Sequence, residues 1–170
     1  TNTMFAVVEE AGMGNLYEIN LTNGSTSLVG SSGPEILFVN LACDNNGDLY
    51  GIDLYTNGFY RIDKENATVT LIGSTGFTFN YAQDMEFDLI NNICYAGAIY
   101  YEGGWIGNLL TIDIETGAAS VAGLFPNSNL ELTGFAIPFT PECLAFPRLM
   151  EPFNKAIEIS TVAPEVTVTF

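Results

Sequence analysis

Histidine is absent from this 170-residue chain, and lysine and arginine together number only 4. The first absence removes the commonest general base, proton shuttle and metal ligand at once, so Ser-His-Asp and Cys-His catalysis are excluded. Against the 4 basic residues stand 20 Asp and Glu, a formal charge of −16. No basic patch is available to neutralise phosphates, which excludes nucleic acid and argues against an anionic membrane surface as partners. The three cysteines, Cys43, Cys94 and Cys143, are odd in number and lack C-x-x-C spacing. They fit either one disulfide with one free thiol or three buried free thiols. Apolar runs such as Ile36 to Val39 and Phe135 to Phe139 are far shorter than the roughly 20 residues a bilayer requires, so membrane insertion is not expected. The opening Thr1-Asn2-Thr3-Met4-Phe5 has neither a basic nor an apolar signal region, so any signal peptide would be processed or lie upstream.

What remains is 48% hydrophobic with a mean hydropathy of +0.25, a composition that folds around one sizeable core. The Lys-poor, Thr/Asn/Gly-rich texture points to a secreted or cell-surface protein.

The dominant signal is a repeat. Leu16-Tyr17-Glu18-Ile19-Asn20, Phe59-Tyr60-Arg61-Ile62-Asp63 and Leu109-Leu110-Thr111-Ile112-Asp113 read as the same strand. Seven residues after the first position of each comes a turn, Asn23-Gly24, Asn66-Ala67 or Thr116-Gly117, and seven further on comes Gly30, Gly73 or Gly123. Upstream, Met4-Phe5-Ala6-Val7, Leu49-Tyr50-Gly51-Ile52 and Cys94-Tyr95-Ala96-Gly97 match at intervals of 45 residues. Tyr17, Ile19 and Leu21 alternate with Glu18 and Asn20, which predicts half-buried strands, and no segment has a helical period. Four antiparallel strands per unit follow; in the second they span Ile36 to Cys43, Asp48 to Asp53, Gly58 to Asp63 and Thr68 to Gly73.

A four-stranded unit of this length is that of a β-propeller blade. The runs Asp-Asn-Asn-Gly-Asp-Leu-Tyr-Gly-Ile-Asp, Gly-Phe-Tyr-Arg-Ile-Asp and Thr-Val-Thr-Leu-Ile-Gly-Ser-Thr-Gly resemble the propeller repeats of secreted and surface-anchored bacterial proteins, over roughly residues 4–139. Kelch and WD signatures are absent. The resemblance implies blade architecture and is nearly silent on function, since its residues are strand and turn residues.

The expected architecture is therefore an all-β, propeller-like array, with blade repeats over 1–139 in units near 4–30, 36–73 and 82–123 and an extra strand at 132–139. The units are circularly offset by one strand, because the first begins at its second strand. Three units fall short of the roughly four to eight of a closed ring. The chain is then a piece of a longer propeller, half of a two-copy ring, or an atypical three-unit assembly; closure geometry favours the first two. Residues 140–170 form a linker punctuated by Pro141, Pro147 and Pro152, then alternating runs at 156–160 and 166–170. These either begin an immunoglobulin-like module or add a strand to the last blade.

Loops at one end of such an array carry recognition residues on a rigid frame. Candidates are Tyr55 in the second unit, the long third-unit loop containing Tyr100, Tyr101, Glu102 and Trp105, and Phe77, Phe79 and Tyr81 in the connection between those units. Aromatic faces with carboxylates suit a glycan, a peptide or a protein partner. The same rings equally serve packing between units or self-association, the purely structural reading. Asp44, Asn46 and Asp48 resemble the start of a calcium loop but lack its downstream Glu, and an Asn-Gly hairpin explains them without metal; no other cofactor is implied. Asn20, Asn23 and Asn66 open N-x-[ST] sequons at turn positions. For a glycan-acting enzyme the candidate acids are Asp84 and Glu86, but their counterparts, Asn40 and Ala42 or Thr133 and Phe135, bring no companion carboxylate. A non-catalytic module is the expectation.

Overall fold

The computed structural model describes residues 3–125, 132–137, 158–162 and 165–169. It divides into two compact units, 1–137 and 138–170. Among the described residues of the first, eleven strands form three antiparallel sheets, each a meander in chain order. The first sheet holds β1 (Met4–Glu10), β2 (Met13–Ile19) and β3 (Thr26–Pro34). The second holds β4 (Ala42–Cys43), β5 (Leu49–Ile52), β6 (Gly58–Ile62) and β7 (Val69–Ser74). The third holds β8 (Phe79–Asp88), β9 (Ile93–Tyr101), β10 (Trp105–Ile112) and β11 (Ala119–Leu124). The expected offset is present: the first sheet has three strands and begins at the equivalent of β5.

The repeat is stereochemical as well as sequential. Between the last two strands of every sheet lies the same six-residue turn, closed by Asn20 N–H to Ser25 O at 2.8 Å, Asp63 N–H to Thr68 O at 2.8 Å and Asp113 N–H to Ala118 O at 2.9 Å. Its fifth residue, Gly24, Ala67 or Gly117, has φ of 71°, 62° or 77°, where a side chain costs energy. The leading Asn or Asp accepts from the N–H two residues on, in Thr22, Glu65 and Glu115. These Asx turns account for Asn20 structurally, and Asn23 and Asn66 likewise accept from the N–H groups of Ser25 and Thr68.

Two apolar layers separate the sheets. Leu16, Phe38, Leu49, Tyr60, Ile62 and Ala67 fill the layer between the first and second. Tyr50, Phe59, Phe79, Phe87, Tyr100 and Leu110 are in the layer between the second and third, where Tyr50 stacks on Phe59 with centroids 5.3 Å apart. Each such side chain contributes about 1.5–3 kcal/mol by burial. The expectation of half-buried strands is corrected for the second sheet: β5 is buried throughout and β6 at all but Arg61, because a sheet sandwiched between two others has no solvent face.

Two further expectations change. The predicted strand Ile36 to Cys43 contracts to β4 plus a single Phe38–Asp53 bridge, because the Asn40 side-chain oxygen accepts the Ile52 N–H at 2.9 Å and replaces a ladder bond. The predicted strand at 132–139 is not a strand over its described part, 132–137. It is held beside the third sheet by Phe135 N–H donating to Asp84 Oδ2 at 2.7 Å, with Leu132 against Gly97.

In the second unit, β12 (Glu158–Val162) and β13 (Glu165–Thr169) pair with each other in a two-stranded sheet rather than adding to another. Residues 140–157 of the expected linker, with Cys143, lie outside the described residues.

Cys43 and Cys94 are free thiols. Burial pushes the Cys94 thiol far above its ordinary pKa and raises Cys43 as well. Since the thiolate is the reactive form, iodoacetamide with mass mapping at pH 8 should label exposed Cys43 and leave Cys94 unmodified until denaturant is added; labelling of Cys94 in the native protein would contradict this packing.

Candidate functional site

The hairpins joining the middle strands of each sheet emerge at one end. In the first sheet this hairpin turns through two residues, Ala11-Gly12, with φ of 55° and 78°, the left-handed pair of a type I′ hairpin. The long third-unit loop expected around Tyr100 to Trp105 is corrected. Tyr101 pairs with Trp105 across the strands, leaving only Glu102-Gly103-Gly104, closed by Glu102 N–H to Gly104 O at 2.9 Å. Their rings meet edge to face with centroids 5.4 Å apart. Cross-strand pairing thus fixes these two aromatics on a short tip.

In the second sheet the connection is built by Asp53, which is fully buried. One carboxylate oxygen accepts from Leu37 N–H at 2.7 Å and Tyr55 N–H at 3.3 Å; the other accepts from Thr56 N–H at 2.8 Å and Thr56 Oγ1 at 2.6 Å. Tyr55 is thereby presented on a cleft of about 600 Å³, lined by Gly12, Pro34, Glu35, Ile36, Tyr55 and Thr56. Asp53, Glu35 and Ile36 escaped sequence reasoning, although an Asp three residues before a Thr is a legible turn signal.

The aromatic candidates divide. Tyr55, Tyr101 and Trp105 are 57%, 53% and 44% exposed, and Glu102 is exposed with them. Phe79 and Tyr100 belong to the core instead: β8 begins at Phe79, which pairs with Tyr100, and both side chains are buried. Phe77 meets Tyr100 edge-on at 4.5 Å, and the Tyr100 hydroxyl accepts from Asn108 Nδ2 at 2.7 Å. Tyr81 lies in β8, and its side chain is outside the described part.

Asp44 Oδ1 accepts from Asn46 N–H at 2.9 Å and Asp48 N–H at 2.8 Å, while Asn46 Nδ2 donates to its other oxygen at 3.2 Å. Asp48 pairs with Arg61 at 3.1 Å. Among the described residues no three His, Cys, Asp or Glu side chains are grouped to hold a metal ion. At the turn end, a groove of about 850 Å³ contains Arg61 and Lys64 among acids. Lys64 donates to the Gly47 carbonyl, so both cations of the described chain are engaged.

Asp84 is committed on both oxygens, to Met85 N–H at 2.9 Å and to Phe135 N–H. Burial raises the pKa of Glu86, with the Asp84 charge adding to it and the Phe87 N–H opposing.

No protein-family model and no curated protein matches this sequence. Among solved structures, TolB from Acinetobacter baumannii, a β-propeller, is similar with a TM-score of 0.51 at 13% identity over 74% of this chain. This chain has a β-propeller-like fold. The three sheets of the first unit are its blades, with β4 and β8, the edge strands that meet each other, innermost. A protein of unknown function from Bacteroides thetaiotaomicron VPI-5482 is similar with a TM-score of 0.53 and 13% identity over 70% of this chain. The chain spans only 30% of the length of each of these proteins.

Proposed function

We propose that this chain is a non-catalytic recognition module of a secreted or cell-surface protein, binding glycans through the hairpin end of its blades. The observation that carries the reading is the Tyr101–Trp105 pair, two large exposed rings fixed edge to face on a three-residue tip that also carries exposed Glu102. Sugar rings offer apolar faces for such aromatics and hydroxyls for a carboxylate. Tyr55 beside its cleft supplies a third ring at the same end of the blades. The non-catalytic part rests on the sequence, which has no histidine, and on Asp84, whose two oxygens already serve backbone amides.

Because Trp105 is the sole tryptophan, intrinsic fluorescence reports directly on the tip. A glycan array should return selective ligands, each shifting Trp105 emission, and Trp105→Ala should weaken them at least about tenfold, the loss of an aromatic anchor. Parallel peptide and protein arrays provide the alternatives. Binding there but not to glycans would replace the ligand class, and no binding on any array would leave the scaffolding role as the better reading.

A further inference from the structure

Every internal blade contact is made by two complementary faces, and among the described residues the two ends of the array expose one face each. On the onward face, a glycine near the end of the outermost strand lies under the six-residue turn of the next blade. A methyl group at Gly30 would collide with the Asn66 carbonyl, and one at Gly73 with the Thr116 carbonyl. The third equivalent, Gly123, has open space before it among the described residues. The same holds around it: Leu16 and Phe59 are buried under the next blade, whereas their counterpart Leu109 is only half-buried, as is Tyr95, the counterpart of buried Tyr50.

The reverse face repeats this in mirror order. Leu49, Tyr60 and Ile62 of the second blade, and Cys94, Leu110 and Ile112 of the third, are buried against the preceding blade. Their first-blade counterparts are Met4, 49% exposed, and Tyr17 and Ile19, each half-buried. The first blade also has no strand equivalent to β4 or β8 among its own. Residues 132–137, anchored through Asp84 and Gly97, align in the repeat with those innermost strands. Each end therefore has the face, turn or strand segment that the other lacks.

We propose that two copies of this chain associate head to tail, the third-blade face of each receiving the Asn20–Ser25 turn and outer face of the other's first blade, with 132–137 supplying that blade's missing inner strand. A second copy is the occupant because it carries the complement of both faces, and two sets of three blades give six, within the range in which propeller rings close. The contact is heterologous, and with two copies it closes on itself instead of propagating.

Sedimentation velocity of the native 170-residue chain should give twice its 18.4 kDa mass at micromolar concentration. The run should use at least 0.15 M salt, since both copies carry −16. Gly123→Val fills space that the isolated chain leaves open but that the incoming turn needs, and Met4→Glu places a charge on the opposite face. Each should keep the native circular dichroism and weaken association about tenfold or more. A monomer at 100 µM native chain, a dimer unaffected by Gly123→Val, or a dimer that Gly123→Val disrupts and Met4→Glu does not would each overturn the proposal; the last outcome would mean that like faces pair.

Discussion

Gly73→Ala is expected to destabilise the fold by about 3 kcal/mol, near the upper end of the range for an overpacked core, and to lower Tm by about 6–12 °C for a chain of this size. The cause is proximity, not backbone freedom, since Gly73 is not among the positive-φ residues. Its Cα lies so close to the third blade that a β-carbon would overlap the Thr116 carbonyl. The obstacle is backbone belonging to the tight Asp113–Ala118 turn, which is closed by two hydrogen bonds and a left-handed Gly117, so neither side yields cheaply. To admit the methyl, the second and third blades must separate, thinning the layer that holds Tyr50, Phe59 and Phe87. Gly104→Ala is the control: open space lies before it and its φ is ordinary, so a change within about 0.5 kcal/mol is expected. Urea unfolding midpoints measure both, and equal midpoints would show that the blades are not in contact at Gly73.

That contact also marks the boundary of what the sequence makes legible. The spacing from Leu16 to Asn23 to Gly30 and its two repetitions identify strand, turn and glycine in register, because turn chemistry and backbone proximity each demand a narrow residue set at a fixed offset. Periodicity is less informative where both sheet faces are buried. Phe59 and Tyr60 are consecutive, point to opposite layers and are both buried, so alternation could not separate Phe79 and Tyr100 in the core from Tyr101 and Trp105 in solvent. Gly103-Gly104 reads as a long flexible loop in the sequence, while cross-strand pairing of the flanking aromatics shortens it to a tip. The strand expected at Ile36 to Cys43 is lost to a side-chain effect, the Asn40 carboxamide taking a ladder position, and residue type alone does not reveal such competition.

Asp53→Ala is expected to cost about 4 kcal/mol, placing it among the most damaging single changes available to this chain. The carboxylate is fully buried and accepts four hydrogen bonds, three of them from backbone N–H groups of a part-buried connection. Truncation takes the acceptor from all three backbone donors and leaves the Thr56 hydroxyl only Tyr60 as partner, and each donor left unsatisfied costs about 1–3 kcal/mol. Asp53→Asn keeps the volume and one acceptor oxygen, so it should lose about half as much and retain the fold. Leu37 and Thr56 flank the cleft, and Tyr55 stands between Asp53 and Thr56, so the same truncation should release the Tyr55 connection even where the blades survive. Hydrogen exchange reads that local effect: the amides of Leu37, Tyr55 and Thr56 should lose protection in Asp53→Ala well before those of β9 and β10. Uniform loss across all three blades would instead mean that Asp53 supports the whole array and has no special hold on this end of it.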